Sequence, residues 1–320
     1  MINNVPIYVV IPTYKCSTTI LRVLHEIPSY IDRIVVIDDK CPENSGKLVL
    51  DNVSDPRVVV IFNNENLGVG GATKSGYLEI LKTKESAIVV KLDGDDQMNS
   101  DLISKMVEPL IKLKADYVKG NRFNNINSIL TMPKLRIIGN LVLTFLSKLS
   151  SGYWQVFDPT NGFVAVSTDI LRLVPLNKVS NRYFFESDML FRLNLISAVV
   201  VDFPMDSKYG QEKSNLKIWK VALEFPVKHF VNFFKRICYN YYLRDFTLAS
   251  LELPLGLVLT TYGTILGIIN FLQNASINTP TPIGTLMLVS MSILVGLQLL
   301  LGFASYDVNN SPKIPIGNGY

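Results

Sequence analysis

Residues 253–306 contain no Asp, Glu, Lys or Arg, and nothing else in the chain limits its fold so strongly. Two apolar runs lie inside this stretch, about 253–272 and 283–304. Each is close to the ~20 residues that carry a helix across a bilayer core. Both are apolar on every face rather than striped, unlike a surface helix of a soluble protein. The intervening QNASINTPTP carries polar and turn-forming residues, which suit a short hairpin loop. The expectation for 251–306 is a two-helix transmembrane hairpin, and the positive mean hydropathy agrees with it.

Orientation follows from the flanks. Lys208, Lys213, Lys217, Lys220, Lys228, Lys235, Arg236 and Arg244 precede the hairpin, its loop has no basic residue, and the tail after 306 has only Lys313. The positive-inside tendency then places the large N-terminal part and the 307–320 tail in the cytoplasm. The opening MINNVPIYVV is too short and wrongly flanked for a signal peptide. Cys16, Cys41 and Cys238 form no CxxC pair and no even framework, as expected in a reducing compartment. The setting expected is a bacterial inner membrane ahead of an endoplasmic reticulum. The net charge of +4 is modest and comes mostly from the juxtamembrane cluster, which points to anionic lipid and not to nucleic acid.

Residues 218–250 mix aromatics with Lys and Arg and read as juxtamembrane amphipathic helices lying along a membrane surface. A shorter interfacial helix is expected over 138–149, which would bring Arg136 near the bilayer. The tail is polar and rich in Pro and Gly, and is expected to be loose.

The first 217 residues alternate strand and helix patterns. IYVVIPTY, IDRIVVIDD, RVVVIFNN and IVV are apolar strands, with helical stretches at 18–27, 46–53 and after the glycine turn NLGVGGA. Such alternation predicts a parallel sheet covered on both faces, with ligands gathering beyond the carboxyl ends of its strands. Pro12 to Tyr14, Asp38 with Asp39, and Asp93 to Gln97 all fall at such ends. The last group, LDGDDQ, packs carboxylates that repel unless a cation sits among them. Oxygen ligands on a short turn suit Mg²⁺ or Mn²⁺ shared with a phosphate. The glycine turn is neither GxGxxG nor a P-loop. It has two readings: close approach of helix and strand, or main-chain amides and Lys74 beside a nucleotide.

Taken in order, VVIPTY, IVVIDD, NLGVGGA, LDGDDQ, KGNRF, PKLRIIGN, DPTNGFVAVS, RYFFESDML and YGQEKSNLK resemble family 2 glycosyltransferases of the GT-A fold. The C-terminal hairpin makes the chain look most like the polyprenyl-phosphate branch, the relatives of dolichol-phosphate mannose synthase. The resemblance implies an α/β GT-A (Rossmann-like) domain that binds a nucleotide-diphosphate sugar. It assigns Pro12, Tyr14, Asp39, Asn66 and Gly71 to the nucleotide, and Asp93, Asp95 and Gln97 to the diphosphate and its metal. The family often has Asn-Glu after the first Tyr, where this chain has Lys15-Cys16.

Transfer needs the leaving diphosphate neutralised, which a metal does as a Lewis acid. Arg122 and Arg136 are guanidiniums suited to clamp a phosphate, and the resemblance places them at positions that hold a lipid phosphate. Asp158, Glu186 and Asp188 offer a base or contacts to sugar hydroxyls. His25 and His229 are the only histidines and lie far apart, which disfavours histidine catalysis and a His-ligated zinc. The reading is an inverting, metal-dependent transferase acting on a polyprenyl phosphate. Transfer to a hydroxyl of a lipid-linked glycan or other lipid is the alternative, and a non-catalytic membrane scaffold a more distant one. The oligomeric state stays open, a homo-oligomer included.

Overall fold

The computed structural model describes residues 1–2, 4–124, 134–206 and 218–318. By its contacts the chain divides into two compact units, 1–233 with 312–320, and 234–311.

In the first unit, strands β1 (Ile7–Thr13), β2 (Arg33–Asp38), β3 (Val58–Phe62) and β4 (Ile88–Lys91) alternate with helices α1 (Ile20–His25), α2 (Ser45–Asn52) and α3 (Val69–Leu81). Then come α4 (Ile103–Ile111), β5 (Tyr117–Asn121), α5 (Lys134–Ser151), β6 (Val164–Ser167), α6 (Thr168–Leu173), α7 (Phe185–Leu195) and β7 (Val200–Pro204). All seven strands join one sheet in the order β3-β2-β1-β4-β6-β5-β7. Side chains alternate across it. Tyr8 and Val10 of β1 enter one core while Ile7, Val9 and Ile11 enter the other, so both faces are covered.

The sheet is not wholly parallel. β1 to β4 pair in parallel, but β6 runs antiparallel to both β4 and β5. The reversal has a consequence for function. Val164, the first residue of β6, lies opposite Lys91, the last of β4, and opposite Lys119 of β5. The segment 158–163 therefore arrives at the carboxyl ends of the central strands, where a parallel strand would have placed its exit.

The glycines of α3 serve close packing. A Cβ on Gly76 would stand 2.4 Å from Val10 Cγ1, and one on Gly70 would stand 2.4 Å from Phe185 Cβ. Gly68, just before the helix, has φ 82°, a conformation that favours glycine.

The tail is not loose. Ile316 donates its amide to both Asp116 oxygens at 3.0 and 3.1 Å, and its side chain packs against the core. Residues 312–320 thus belong to the first unit with 1–233, although 234–311 lie between them in sequence.

Helix α8 (Ile218–Cys238) leads into the second unit, which holds α9 (Leu248–Ser276) and α10 (Ile283–Asn309). Both of these are long and apolar enough to cross a membrane. α9 begins ahead of the apolar run, where Ser250 Oγ accepts from the Thr247 amide at 3.0 Å, and it runs on to Ser276, into the expected loop. Small residues let the two helices meet closely: a Cβ on Gly296 would stand 2.4 Å from Thr260 Oγ1, and one on Gly256 3.0 Å from Gly296 O. Within the same unit, buried Arg236 forks onto Asp307 at 2.6 and 3.0 Å, and Tyr241 donates to Asp307 at 2.6 Å.

Candidate active site

The carboxyl end of β4 carries the site. Lys91 is fully buried. Its ammonium reaches Asp93 Oδ1 at 2.7 Å, Gly162 O at 3.2 Å and Glu186 Oε1 at 3.4 Å. Burial works to lower the Lys91 pKa, but the Asp93 and Glu186 carboxylates outweigh it and hold the lysine protonated, above its usual value. Burial raises Glu186 above the usual carboxylate range, and Lys91 only partly opposes that. A Cβ on Gly162 would stand 2.4 Å from Lys91 Nζ and 2.6 Å from Asp93 Oδ2. A side chain there would have to displace the lysine or the carboxylate.

Beyond Asp93 the chain turns tightly. Asp95 Oδ1 accepts from the Gln97 amide at 3.2 Å, and Gly94 O accepts from Thr19 Oγ1 at 2.6 Å. Asp96 takes a left-handed φ of 60° and pairs with Arg22 at 2.6 Å, so it is an anchored residue, not a solvated one. Among the described residues no three His, Cys, Asp or Glu side chains converge as a metal cluster. The hard oxygen donors of Asp93, Asp95 and Gln97 fit a cation that takes its remaining ligands from a diphosphate.

The neighbouring strand ends are arranged around this turn. Thr13 Oγ1 donates to Ile37 O at 2.9 Å, joining the end of β1 to β2 beside Pro12, and Tyr14 beyond it is exposed. Asp38 is buried and caps the start of α2, accepting from the amides of Cys41 and Gly46 at 2.7 Å each. The Asp39 carboxylate accepts from Leu67 N at 2.9 Å, Gly68 N at 2.7 Å and Asn63 Nδ2 at 2.8 Å, so it organises the glycine turn. Asn66 Nδ2 donates to Asp39 O at 3.2 Å. Gly71 N and Lys74 Nζ both donate to the 179–181 loop, on Asn181 O and Val179 O at 2.6 Å each. Burial lowers the Lys74 pKa.

A second polar cluster forms where β5 ends and 158–163 arrives. Arg122 forks onto Asp158 with Nε and Nη2 at 2.7 Å each, and Asn161 donates to the same carboxylate at 3.3 Å. Burial favours the neutral acid at Asp158, but Arg122 and Lys119 outweigh it and hold the carboxyl below its usual range. Buried Lys119 donates to Phe157 O at 2.9 Å and to Asp158 O. Arg136 belongs to the first turn of α5, but its side chain lies outside the described residues, as does the YGQEKSNLK segment.

On α7, Glu186 and Asp188 serve different neighbours. Glu186 faces Lys91. Asp188 accepts from Ser180 N at 2.8 Å, from Arg192 at 3.3 Å and from Asn232 Nδ2 at 3.0 Å. Sequence reasoning passed over Lys91, Lys119, Asn161 and Gly162. The signal available was a lysine between Val90 and Leu92, inside an otherwise apolar strand.

A carboxylate turn at the end of a central strand, in a mixed sheet whose sixth strand is reversed, is the arrangement of a GT-A-like fold. The chain belongs to glycosyl transferase family 2, whose family pattern matches residues 8–174, more than half of its length. It is similar to the UDP-N-acetylglucosamine–dolichyl-phosphate N-acetylglucosaminyltransferase of Methanococcus voltae, at 30% identity over 219 residues, which span 64% of this chain and 86% of that protein. It is also similar to the dolichol-phosphate mannosyltransferase of Pyrococcus furiosus, at 23% identity over 190 residues, covering 56% of this chain and 51% of that one. Among solved structures, glucosyl-3-phosphoglycerate synthase from Mycobacterium tuberculosis shares the fold. Its complex with phosphoglyceric acid gives a TM-score of 0.53 at 18% identity, over 73% of this chain and 80% of that one. The same enzyme with Mn²⁺, UDP and phosphoglyceric acid gives 0.52 at 19% identity, over 73% and 78%. The chain is therefore a glycosyltransferase with two helices of membrane-spanning length.

Proposed function

We propose that this enzyme transfers a sugar from a nucleotide-diphosphate donor to a polyprenyl phosphate, with inversion, at the cytoplasmic face of a membrane and with Mg²⁺ or Mn²⁺. The observation that carries the reading is the Lys91–Asp93–Glu186 constellation beside the Asp95 to Gln97 turn, in a chain that continues into two span-length helices. The dolichyl-phosphate acceptor in the name of the Methanococcus relative supports the same acceptor class.

On this reading each side chain has a task. Asp95 and Gln97 hold the metal, which supplies Lewis-acid neutralisation of the leaving diphosphate. Asp93, fixed by Lys91, orients the donor. Pro12, Tyr14 and the turn organised by Asp39 bind the nucleotide. Arg122 and Arg136 hold the acceptor phosphate. Asp158, engaged by Arg122 through both carboxylate oxygens and held below its usual range, positions that guanidinium and does not act as a base. None is needed, because a phosphate monoester is already anionic at neutral pH. The basic cluster from Lys208 to Arg244 ahead of the spans, against a loop with no basic residue, supports the cytoplasmic orientation. The exposed apolar residues Ile138, Leu141, Val142 and Phe145 on α5 support contact with the lipid surface.

The test is to incubate the membrane-reconstituted protein with a panel of nucleotide sugars and a polyprenyl phosphate, with Mg²⁺ or Mn²⁺, reading products by mass spectrometry. A glycosyl polyprenyl monophosphate is expected. If no prenyl phosphate accepts sugar while a lipid hydroxyl does, the phosphate-acceptor reading fails. Unchanged activity in Asp95→Ala would remove the metal site.

A further inference from the structure

Helix α8 has two opposite faces. Leu223, Val227, Phe230 and Phe234 recur at helical spacing along one side, and all four are exposed. Phe225, His229 and Asn232 lie on the other side, and all three are buried.

The buried face grips the start of the helix that carries Glu186. The rings of Phe225 and His229 stand edge-on to Phe184, the residue preceding α7, at 5.2 and 4.9 Å. One turn along α8 from His229, Asn232 Nδ2 donates to Asp188 Oδ1 at 3.0 Å. His229 is itself fixed by Ser150, at the end of α5, at 2.7 Å. Two residues before Asp188, Glu186 points to Lys91, which holds Asp93. A short chain of bonds thus runs from α8 through the first turn of α7 to the carboxylate turn.

We propose that α8 is a positioning helix for the donor site, and that Asn232, acting through Asp188, sets the first turn of α7 and with it Glu186, Lys91 and Asp93. The occupant of its exposed apolar face is the bilayer surface, because α8 runs on through Tyr239–Arg244 into the span-length α9. Seating of that face in lipid then governs turnover. Small displacements matter here, since misplacing a reacting group by about 1 Å can cost about 10²-fold in rate. The proposal deepens the glycosyl-transfer reading above and rests on it for its kinetic consequences.

The test uses the full-length protein in lipid vesicles, with two readouts: steady-state kinetics, and amide hydrogen exchange over residues 185–189. Asn232→Ala is expected to speed exchange in that turn and to lower kcat about tenfold, with donor KM changed less than about twofold. In an Asp188→Ala background the same substitution is expected to add no further loss, because the two residues act as one unit. Val227→Ser, on the outer face, is expected to lower kcat in the same way with the melting temperature unchanged, and it stands in if Asn232→Ala fails to fold. Wild-type exchange at 185–189 in Asn232→Ala, or kinetic losses that multiply independently with Asp188→Ala, would overturn the proposal. If the wild type transfers no sugar at all, the functional reading fails instead, and the exchange measurement still decides whether α8 positions α7.

Discussion

Lys91 Nζ lies 2.7 Å from Asp93 Oδ1, a pair two positions apart at the end of the central strand. Residues two apart in extended chain share a face, so the first carboxylate of the DGDD turn is neutralised from within its own segment. The second, Asp95, is held differently, by accepting from the Gln97 amide at 3.2 Å.

Gly162 sets the room around this pair. Gly162→Ala would place a methyl 2.4 Å from Lys91 Nζ and 2.6 Å from Asp93 Oδ2, with the lysine already fixed by three partners. Overpacking a rigid site costs about 1–3 kcal/mol. The expected result is a folded protein with a lowered melting temperature and transfer reduced by roughly tenfold or more, on the order of 1.4 kcal/mol per decade of rate. Wild-type donor turnover in this variant would remove the Lys91–Asp93 geometry from the mechanism.

Arg122 and Asp158 form a buried fork, with the carboxylate wholly inaccessible. Removing one partner of such a pair typically costs about 3–5 kcal/mol. Asp158→Asn is expected to lower stability by an amount of that order and to depress transfer through the misplaced guanidinium. Because the Asp158 carboxyl is held below its usual range in the fold, its contribution is present at neutral pH and is lost as pH falls through the folded value. A thermal melt series toward acid should therefore converge for wild type and Asp158→Asn.

Burial lowers the His229 pKa from 6.5 to about 4. Above about pH 6.5 the ring is neutral in both folded and unfolded chains. As pH falls from there toward 4, the unfolded chain takes up a proton that the folded chain does not, so stability declines, by about 3 kcal/mol at most. His229→Phe should flatten that part of the melting curve against pH between 7 and 4.5. An unchanged slope would show that another group sets the acid limit.

The hairpin depends on small residues where its helices meet. Gly296→Val would drive a side chain into Thr260, whose Oγ1 already lies 2.4 Å from the position of a Cβ at 296. The expected effect is separation of α9 from α10, read as a loss of cross-linking between cysteines introduced at facing positions, while isolated substitutions such as Leu255→Ala on the exposed side leave cross-linking intact.

Much of this protein is legible in its residues. The alternation of apolar strands and helices fixes the first half of the sheet, because each continuous apolar strand must be covered on both faces. The uncharged stretch fixes the two long helices, and the runs at 12–14, 38–39 and 93–97 fall where open α/β sheets gather ligands. Other features were out of reach. Asp38 and Asp39 read alike in sequence, yet one caps α2 and the other orders the glycine turn. Glu186 and Asp188 sit on one helix two residues apart, yet face different neighbours.

The sequence alone therefore determined the class of fold, the place of the carboxylate turn and the two span-length apolar helices, because each follows from periodicity and hydropathy within a short window. Only the tertiary structure decided which charges meet. The reversal of β6 brought 158–163 to the ends of β4 and β5, where Gly162 leaves space for Lys91 and Asp158 meets Arg122. The tail, polar and rich in turn-formers, was fixed by a single buried acceptor, Asp116, two hundred residues away. Such pairings depend on strand direction and on contacts distant in sequence, and no local pattern encodes them.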